Sequence, residues 1–136
     1  MRVTVDANIL FSALLRKGIT RKIWFGLEME LFAPRFLLEE FQKYKGYLQN
    51  KFKGTREEFL DLSQKLLSQV KLVSDGDLKP FLPASASLTN DPKDWIYLAC
   101  ALKEDTLIWS DDKEFKSQKR IRILSTPEMK EEFGLL

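Results

Sequence analysis

Histidine is absent from this sequence, and cysteine occurs once, at Cys100. The absence of histidine excludes an imidazole base and a histidine zinc ligand, and one thiol can form neither an intrachain disulfide nor a thiolate metal cluster. Any acid–base or metal chemistry must therefore rely on carboxylates. Because Cys100 lies in an apolar segment, we expect its side chain to serve packing.

The chain also lacks an apolar run near the roughly 18 residues that a membrane helix needs, and we expect a soluble, cytoplasmic protein without a membrane partner. Neither sign of charge dominates, since 22 Lys and Arg oppose 20 Asp and Glu, for a net charge of +2. This balance does not by itself predict a nucleic-acid partner, because affinity depends on where positive charge clusters. A length of 136 residues with 44% hydrophobic content is typical of one domain.

Short β-branched runs alternate with amphipathic stretches along the chain. Strands are predicted at 2–6, 30–33, 71–74, 106–110 and 120–124. Helices are predicted over 7–16, 19–29, from Pro34 through 52, 56–70, 93–105 and 126–133, and the stretch 75–89 is predicted to be a loop. Such alternation indicates a mostly parallel sheet covered by helices on both faces, with ligands bound beyond the carboxyl ends of the strands.

Carboxylates occur at these strand ends and on inward-facing positions of the predicted helices. Asp6 ends the first strand, and Asp111 and Asp112 directly follow the fourth. Helical geometry places Glu40 about 60° from the middle of an apolar stripe, and it places Asp94 in the first turn of the most apolar helix. Carboxylates near a core are costly unless they are paired or bound to metal. Oxygen ligands without His or Cys suit Mg²⁺ or Mn²⁺.

Each of these acids has a simpler structural interpretation. Asp6 can cap the first helix, and Asp94 can be an acid in the first turn of a helix that Asp91 caps. Glu40 can belong to an ordinary solvated pair with Glu39. The segment SDDKEF, with its acids Asp111, Asp112 and Glu114, can be a solvated turn, and spacing alone does not separate the roles of these three.

Four segments together resemble the PIN-domain family of metal-dependent ribonucleases, which includes the VapC-like toxins of toxin–antitoxin pairs. These segments are VDANILFSALL at 5–15, LLEEF at 37–41, DWIYLACAL at 94–102 and TLIWSDDKEF at 106–115. The resemblance implies a three-layer α/β/α fold with a five-stranded parallel sheet in the order 3-2-1-4-5. It also implies that one domain spans nearly the whole chain.

The same resemblance implies roles for individual residues. Asp6, Glu40, Asp94 and Asp112 would be catalytic and would hold Mg²⁺ or Mn²⁺, with Asn8 and Ser110 as supporting residues. Asn8 is expected to hydrogen-bond a ligating carboxylate and to hold the turn. Asp111 stands where the family usually has Gly or Arg, so that Asp111, Asp112 and Glu114 all stay open as the fourth acidic ligand.

The implied activity is hydrolysis of RNA phosphodiester bonds by water, leaving a 5′-phosphate and a 3′-hydroxyl. A homodimer and a small antitoxin protein are implied partners. From the residues themselves, Arg16, Lys17 and Lys113 are candidate RNA contacts beside the acidic groups. The alternative is a non-catalytic RNA-binding or protein-interaction module on the same fold. A phosphotransfer domain is disfavoured because no predicted strand ends in Lys and because Asn8 stands where a dehalogenase has a second Asp.

Overall fold

The computed structural model describes residues 1–26 and 28–132. The strands are β1 (Arg2–Val5), β2 (Glu30–Pro34), β3 (Val70–Val73), β4 (Leu107–Trp109) and β5 (Ile123–Leu124). The helices are α1 (Ala7–Leu15), α2 (Ile19–Trp24), α3 (Phe36–Lys51), α4 (Arg56–Ser68), α5 (Asp75–Leu78), α6 (Leu82–Ala86), α7 (Pro92–Glu104) and α8 (Thr126–Glu132). Two short 3₁₀ helices occupy Lys79–Phe81 and Lys113–Ser117.

The strands form one parallel sheet in the order β3-β2-β1-β4-β5. The predicted fold class and strand order are therefore confirmed. In the centre of the sheet, Thr4 pairs with Phe32 on one side and with Ile108 on the other. Since β1 and β4 are neighbours and run in the same direction, the residues that follow them meet at one edge of the sheet.

Helices cover both faces of the sheet and bury its apolar side chains. One face packs against α1 and α2, where Trp24 and Trp109 are fully buried with ring centroids 6.2 Å apart. The other face packs against α7, whose Leu98, Ala99 and Cys100 are fully buried. Residues 1–26 and 28–132 contain no helix with the length and apolar character that crossing a membrane requires.

Local sequence sets the ends of the helices that carry functional candidates. Asp6 is the N-cap of α1 and accepts a hydrogen bond from the backbone N–H of Ile9, so that the strand ends one residue before the predicted boundary. Pro34 is the last residue of β2 instead of the first residue of a helix, and α3 begins at Phe36. As a result, Glu40 lies in the second turn of α3, close to the carboxyl end of β2.

The prediction of a loop over 75–89 was wrong. The segment folds into α5, a 3₁₀ helix and α6, which pack against α7. Ser74 caps α5 by accepting a hydrogen bond from the N–H of Asp77, and Leu78 is fully buried beside Phe32. The sequence did not indicate these helices, because the segment is rich in turn-forming residues and one-turn helices are too short to show an apolar period.

Other predicted boundaries shifted at element ends. Helix α2 ends at Trp24, well before residue 29, and residue 27 of that predicted helix lies outside the described residues. Strand β5 contains two residues instead of the predicted five. The last predicted helix is found over Thr126–Glu132, and its predicted end at 133 also lies outside the described part of the chain.

Candidate metal centre

A cavity of about 160 Å³ lies at the carboxyl edge of the sheet, where β1, β4, α3 and α7 meet. Its lining consists of Asp6, Ala7, Asn8, Glu40, Asp91, Lys93, Asp94, Tyr97, Asp112 and Phe115. The four acids that the sequence singled out as metal ligands thus come from four different segments to one place. We call this space the acidic cavity.

Asp6 is buried, and both of its carboxylate oxygens accept hydrogen bonds. Oδ1 accepts one of 3.0 Å from the N–H of Ile9, and Oδ2 accepts one from the hydroxyl of Ser110. Burial raises the pKa of Asp6 to about 6, with smaller contributions from the charges of Asp111 and Asp112. The two hydrogen bonds oppose that shift in pKa but do not cancel it.

Ser110 joins two of the acids through one hydroxyl. Its Oγ donates to Asp6 and accepts a 3.0 Å hydrogen bond from the backbone N–H of Asp112. The Oδ1 of Asp112 in turn accepts a 3.0 Å hydrogen bond from the N–H of Glu114, so that Asp112 caps the 3₁₀ helix after β4. Ser110 therefore fixes the end of β1 relative to the turn that follows β4.

Glu40 is held by Tyr97, which the sequence analysis did not single out. The hydroxyl of Tyr97 donates a 2.6 Å hydrogen bond to Oε1 of Glu40, and the Tyr97 ring lies edge-on to Phe36 with centroids 6.4 Å apart. Burial and the neighbouring Glu40 carboxylate raise the pKa of Tyr97, so the phenol stays protonated as a donor. A Tyr three residues after Asp94, on the same helix face, was the available sequence signal.

Asp94 is a second buried acid of the cavity. It is 8% exposed, and its Oδ2 is buried with no hydrogen-bond partner in the described part of the chain. Burial, and then the charges of neighbouring carboxylates beginning with Asp91, raise the pKa of Asp94 to about 6. An ionised oxygen in this position is costly unless a cation or a proton satisfies it.

Two further acids, Asp91 and Glu114, lie close to Asp94. One carboxylate oxygen of each of Asp91, Asp94 and Glu114 lies within 4.8 Å of the others. Asp91 also caps α7, where its Oδ1 accepts a 3.1 Å hydrogen bond from the N–H of Lys93. Asp91 is thus the cap of α7 that the sequence predicted, and its carboxylate also lines the acidic cavity.

The structure separates the two adjacent acids after β4. Asp111 points to the start of α8, where its oxygens accept hydrogen bonds of 2.6 Å from the N–H of Thr126 and 2.9 Å from its hydroxyl. Asp112 lines the acidic cavity, whereas Asp111 does not. The sequence did not distinguish Asp111 from Asp112 as the fourth acidic ligand, but the structure places only Asp112 at the cavity.

The polar and basic candidates are distributed unevenly around this centre. Asn8 lines the cavity, but it makes no hydrogen bond to a carboxylate of residues 1–26 and 28–132, and Asp6 instead holds the turn. Arg16 and Lys17 follow the far end of α1, and Lys17 lines a separate cavity with Arg21 and Phe52. Lys113 is exposed directly after Asp112.

Lys93 is a basic residue of the acidic cavity that the sequence analysis did not single out. It lies in the first turn of α7, one residue before Asp94, and its side chain is exposed. Its signal in the sequence was weak, because a lysine near a helix start normally indicates only a solvated surface.

Comparison with known proteins gives a family and a fold. The sequence pattern of the PIN domain family matches residues 4–133. The structure is similar to a chain of VapBC2 from Rickettsia felis bound to a DNA fragment from their promoter, with a TM-score of 0.70 and 12% identity over 92% of this chain and 98% of that one. It is also similar to PAE2754 from Pyrobaculum aerophilum, with a TM-score of 0.66 and 13% identity over 100% of this chain and 91% of that one. No curated protein in the comparison matches the chain.

Proposed function

Because this chain belongs to the PIN-domain family, we propose that it is an Mg²⁺- or Mn²⁺-dependent endoribonuclease whose active site is the acidic cavity. The observation that carries the proposal is the buried Oδ2 of Asp94, which has no hydrogen-bond partner in the described part of the chain and lies in a cavity lined by three further predicted acidic ligands. A cation is the natural partner for such an oxygen, since keeping a cluster of like charges ionised without one costs stability.

The donor set fits a hard divalent ion. Carboxylate oxygens from Asp6, Glu40, Asp94 and Asp112 surround the cavity, and neither His nor Cys is available to favour zinc. We propose these four as the ligands, with Asp112 in preference to Asp111, because Asp112 lines the acidic cavity whereas Asp111 is directed to Thr126. A bound ion would lower the pKa of water and neutralise charge on the phosphate.

Neighbouring residues would orient the ligands for metal binding. Ser110 and the N–H of Ile9 orient the Asp6 carboxylate, and Tyr97 orients Glu40. Lys93, on the rim, would attract the substrate phosphate toward a centre that is otherwise negative. Asn8 is also exposed on the rim, and we propose that it contacts substrate or a water of the centre.

Cleavage of a labelled RNA panel tests this function directly. Wild type is expected to cut with Mn²⁺ or Mg²⁺ and to be inactive with EDTA, while Asp6→Asn and Asp94→Asn should abolish cutting and remain folded by circular dichroism. DNA of the same sequence reports whether the 2′-hydroxyl matters. Asp61→Asn is the matched control, because Asp61 is an exposed acid of α4 paired with Lys65.

The same assay can defeat the proposal. If wild type cuts no RNA with either ion, and if Mn²⁺ also leaves its melting temperature unchanged, the acidic cavity is not a metal-dependent nuclease centre. The alternative of a non-catalytic binding module on the same fold would then account for any RNA or protein binding that remains. Equal cutting by wild type and Asp94→Asn would move the active site elsewhere.

We also propose a biological role as the toxin of a toxin–antitoxin pair, with a small antitoxin and a homodimeric state. The support is family membership together with fold similarity to a VapBC2 chain. Expression of wild type should arrest growth, and Asp94→Asn should not. Light scattering of the purified chain measures the dimer, and a monomer at micromolar concentration would contradict that part of the proposal.

A further inference from the structure

Beyond Glu40, one flank of α3 carries two aromatic and two basic side chains. Lys43, Tyr44, Tyr47 and Lys51 lie three, four, seven and eleven residues after Glu40, and this spacing places them along one side of the helix. We call these four residues the lysine–tyrosine strip. With a rise of about 1.5 Å per residue, the strip extends about 16 Å from Glu40.

The tyrosines of the strip are unusually exposed. Tyr47 is 60% exposed and Tyr44 is 40% exposed, and they make up two of the four large hydrophobic residues exposed in residues 1–26 and 28–132. Each ring has a lysine ammonium near its face: the Nζ of Lys43 lies 5.4 Å from the Tyr44 centroid, and that of Lys51 lies 5.8 Å from the Tyr47 centroid. The strip therefore places exposed aromatic rings and positive charge side by side.

The strip begins where the acidic cavity ends. A second cavity of about 200 Å³ is lined by Phe36, Glu39, Glu40, Lys43, Tyr44 and Lys93. Two of these residues, Glu40 and Lys93, also line the acidic cavity. A chain-like ligand that reaches the acids can therefore continue through the second cavity to Lys43 and Tyr44, and Tyr47 and Lys51 follow on the next turns of α3.

We propose that the strip binds single-stranded RNA next to the scissile phosphate, with Tyr44 and Tyr47 stacking on bases and Lys43 and Lys51 pairing with phosphates. This inference rests on the proposed nuclease function. Base stacking on aromatic rings combined with a positively charged track is how proteins hold single strands without reading their sequence. Unpaired bases are also the accessible form of RNA.

Charge complementarity favours RNA over a second copy of this chain. Two lysines lie among the two exposed tyrosines, and an isologous interface through this flank would bring like charges together and bury them. The strip itself contains no aliphatic side chain to form the apolar centre of such an interface. An RNA backbone, in contrast, supplies a negative charge at each nucleotide.

The test measures binding of a fluorescent, unstructured RNA oligonucleotide by anisotropy in the full-length Asp94→Asn background with Mn²⁺, where cleavage should not consume the ligand. Tyr47→Ala should weaken binding at least about five-fold, the lower end of the contribution of one stacked base, and Tyr47→Phe should retain it. Lys51→Ala should also weaken binding and should reduce the slope of log affinity against log salt by about 0.7, the value for one phosphate contact on a single strand.

Lys71→Ala is the matched control for Lys51→Ala. Lys71 is also an exposed lysine over an aromatic ring, 5.7 Å from the Phe32 centroid, but it lies on β3 and outside both cavities. Its substitution should change neither affinity nor salt slope by more than the measurement error.

Several outcomes would overturn the strip. One is the absence of any RNA binding, and another is an equal affinity of Tyr47→Ala and Tyr47→Phe for RNA. A third is an equal loss of affinity in Lys71→Ala and Lys51→Ala. A fourth is a change of oligomeric state of Tyr47→Ala in light scattering, which would identify a subunit interface. The nuclease proposal fails separately: it fails if wild type does not cut RNA while the strip variants still alter binding.

Discussion

The hydroxyl of Tyr97 on α7 donates a 2.6 Å hydrogen bond to Oε1 of Glu40 on α3, 57 residues away in the sequence. Tyr97 is 3% exposed, so its ring is fixed by packing and its hydroxyl has a defined position. The bond links the two helices that deliver Glu40 and Asp94 to the acidic cavity. Tyr97 is thus a positioning residue for a proposed ligand.

Tyr97→Phe should weaken Mn²⁺ binding by about ten- to a hundred-fold, the usual effect of losing a residue that orients a metal ligand. The ring and its packing on Phe36 remain, and the lost hydrogen bond to a charged group should lower the free energy of unfolding by only about 1.5–3 kcal/mol. Calorimetric Mn²⁺ titration measures the affinity. Tyr47→Phe, which removes an exposed hydroxyl, is the control, and equal Mn²⁺ affinities for all three proteins would contradict the positioning role.

Asp111→Asn and Asp112→Asn should separate stability from metal binding. Asp111 accepts two hydrogen bonds from Thr126 at the start of α8, so its substitution should lower the free energy of unfolding by about 1 kcal/mol, as for a lost N-cap, and leave the Mn²⁺ response intact. Asp112→Asn should abolish the rise in melting temperature with Mn²⁺. Thermal melts with and without Mn²⁺ distinguish the two variants. If Asp111→Asn lost the Mn²⁺-induced rise in melting temperature and Asp112→Asn kept it, Asp111 would be the ligand.

The arrangement of the candidate acids could be predicted because it depends on the strand order, which the resemblance to the PIN-domain family implied. Once β1 and β4 are neighbours in a parallel sheet, Asp6 and Asp112 must follow them at the same edge. Helical periodicity similarly brings Glu40 and Asp94 toward the interior side of α3 and α7. Strand order and helix faces therefore determine the acidic cavity without knowledge of any side-chain contact.

What the sequence could not predict depends on contacts between distant residues. The bond from Tyr97 to Glu40 and the choice of Thr126 as partner for Asp111 require the packed structure. The short helices after β3 were also missed, since they are stabilised by burial of Leu78 instead of by a periodic pattern. The candidate positions were thus accessible to sequence reasoning, whereas the residues that orient them were not.

Cys100 should be unreactive in the folded protein. Its side chain is fully buried on α7, Thr4 donates a hydrogen bond of 3.8 Å to its sulfur, and burial raises its pKa to about 12. Little thiolate is therefore present at pH 8. A thiol reagent should not modify native protein over an hour but should modify one thiol after denaturation in guanidinium, as followed by mass spectrometry. Rapid modification of the native protein would show that α7 opens.

Stability without metal should fall as pH rises between about 4 and about 6. Folding raises the pKa of Asp6 and Asp94 from the ordinary value of about 3.9 to about 6, so the folded protein binds more protons than the unfolded chain within this window. The free energy of unfolding is not lowered by these two acids below their pKa in the unfolded chain. The full loss is reached above their pKa in the folded protein. At about 1.36 kcal/mol per pKa unit, the shift of Asp6 alone corresponds to about 3 kcal/mol.

Chemical denaturation at pH 4, 5, 6 and 7 with EDTA measures this loss. Asp6→Asn should reduce it, because an amide does not titrate while Asp94 still does. The hydrogen bonds that lower the pKa of Glu128 to about 2 act in the opposite direction and overlap the acid end of this window. The effect of Asp6 is therefore measured as the difference between wild type and Asp6→Asn, which both keep Glu128. At pH 7, Mn²⁺ should restore the lost stability in wild type, since a cation satisfies the ionised acids as the proton does at pH 4. A free energy of unfolding that rises from pH 4 to pH 6 without metal would contradict the burial of charge at this site. A loss with pH that Mn²⁺ does not reverse would mean that the buried acids accept protons but hold no metal ion.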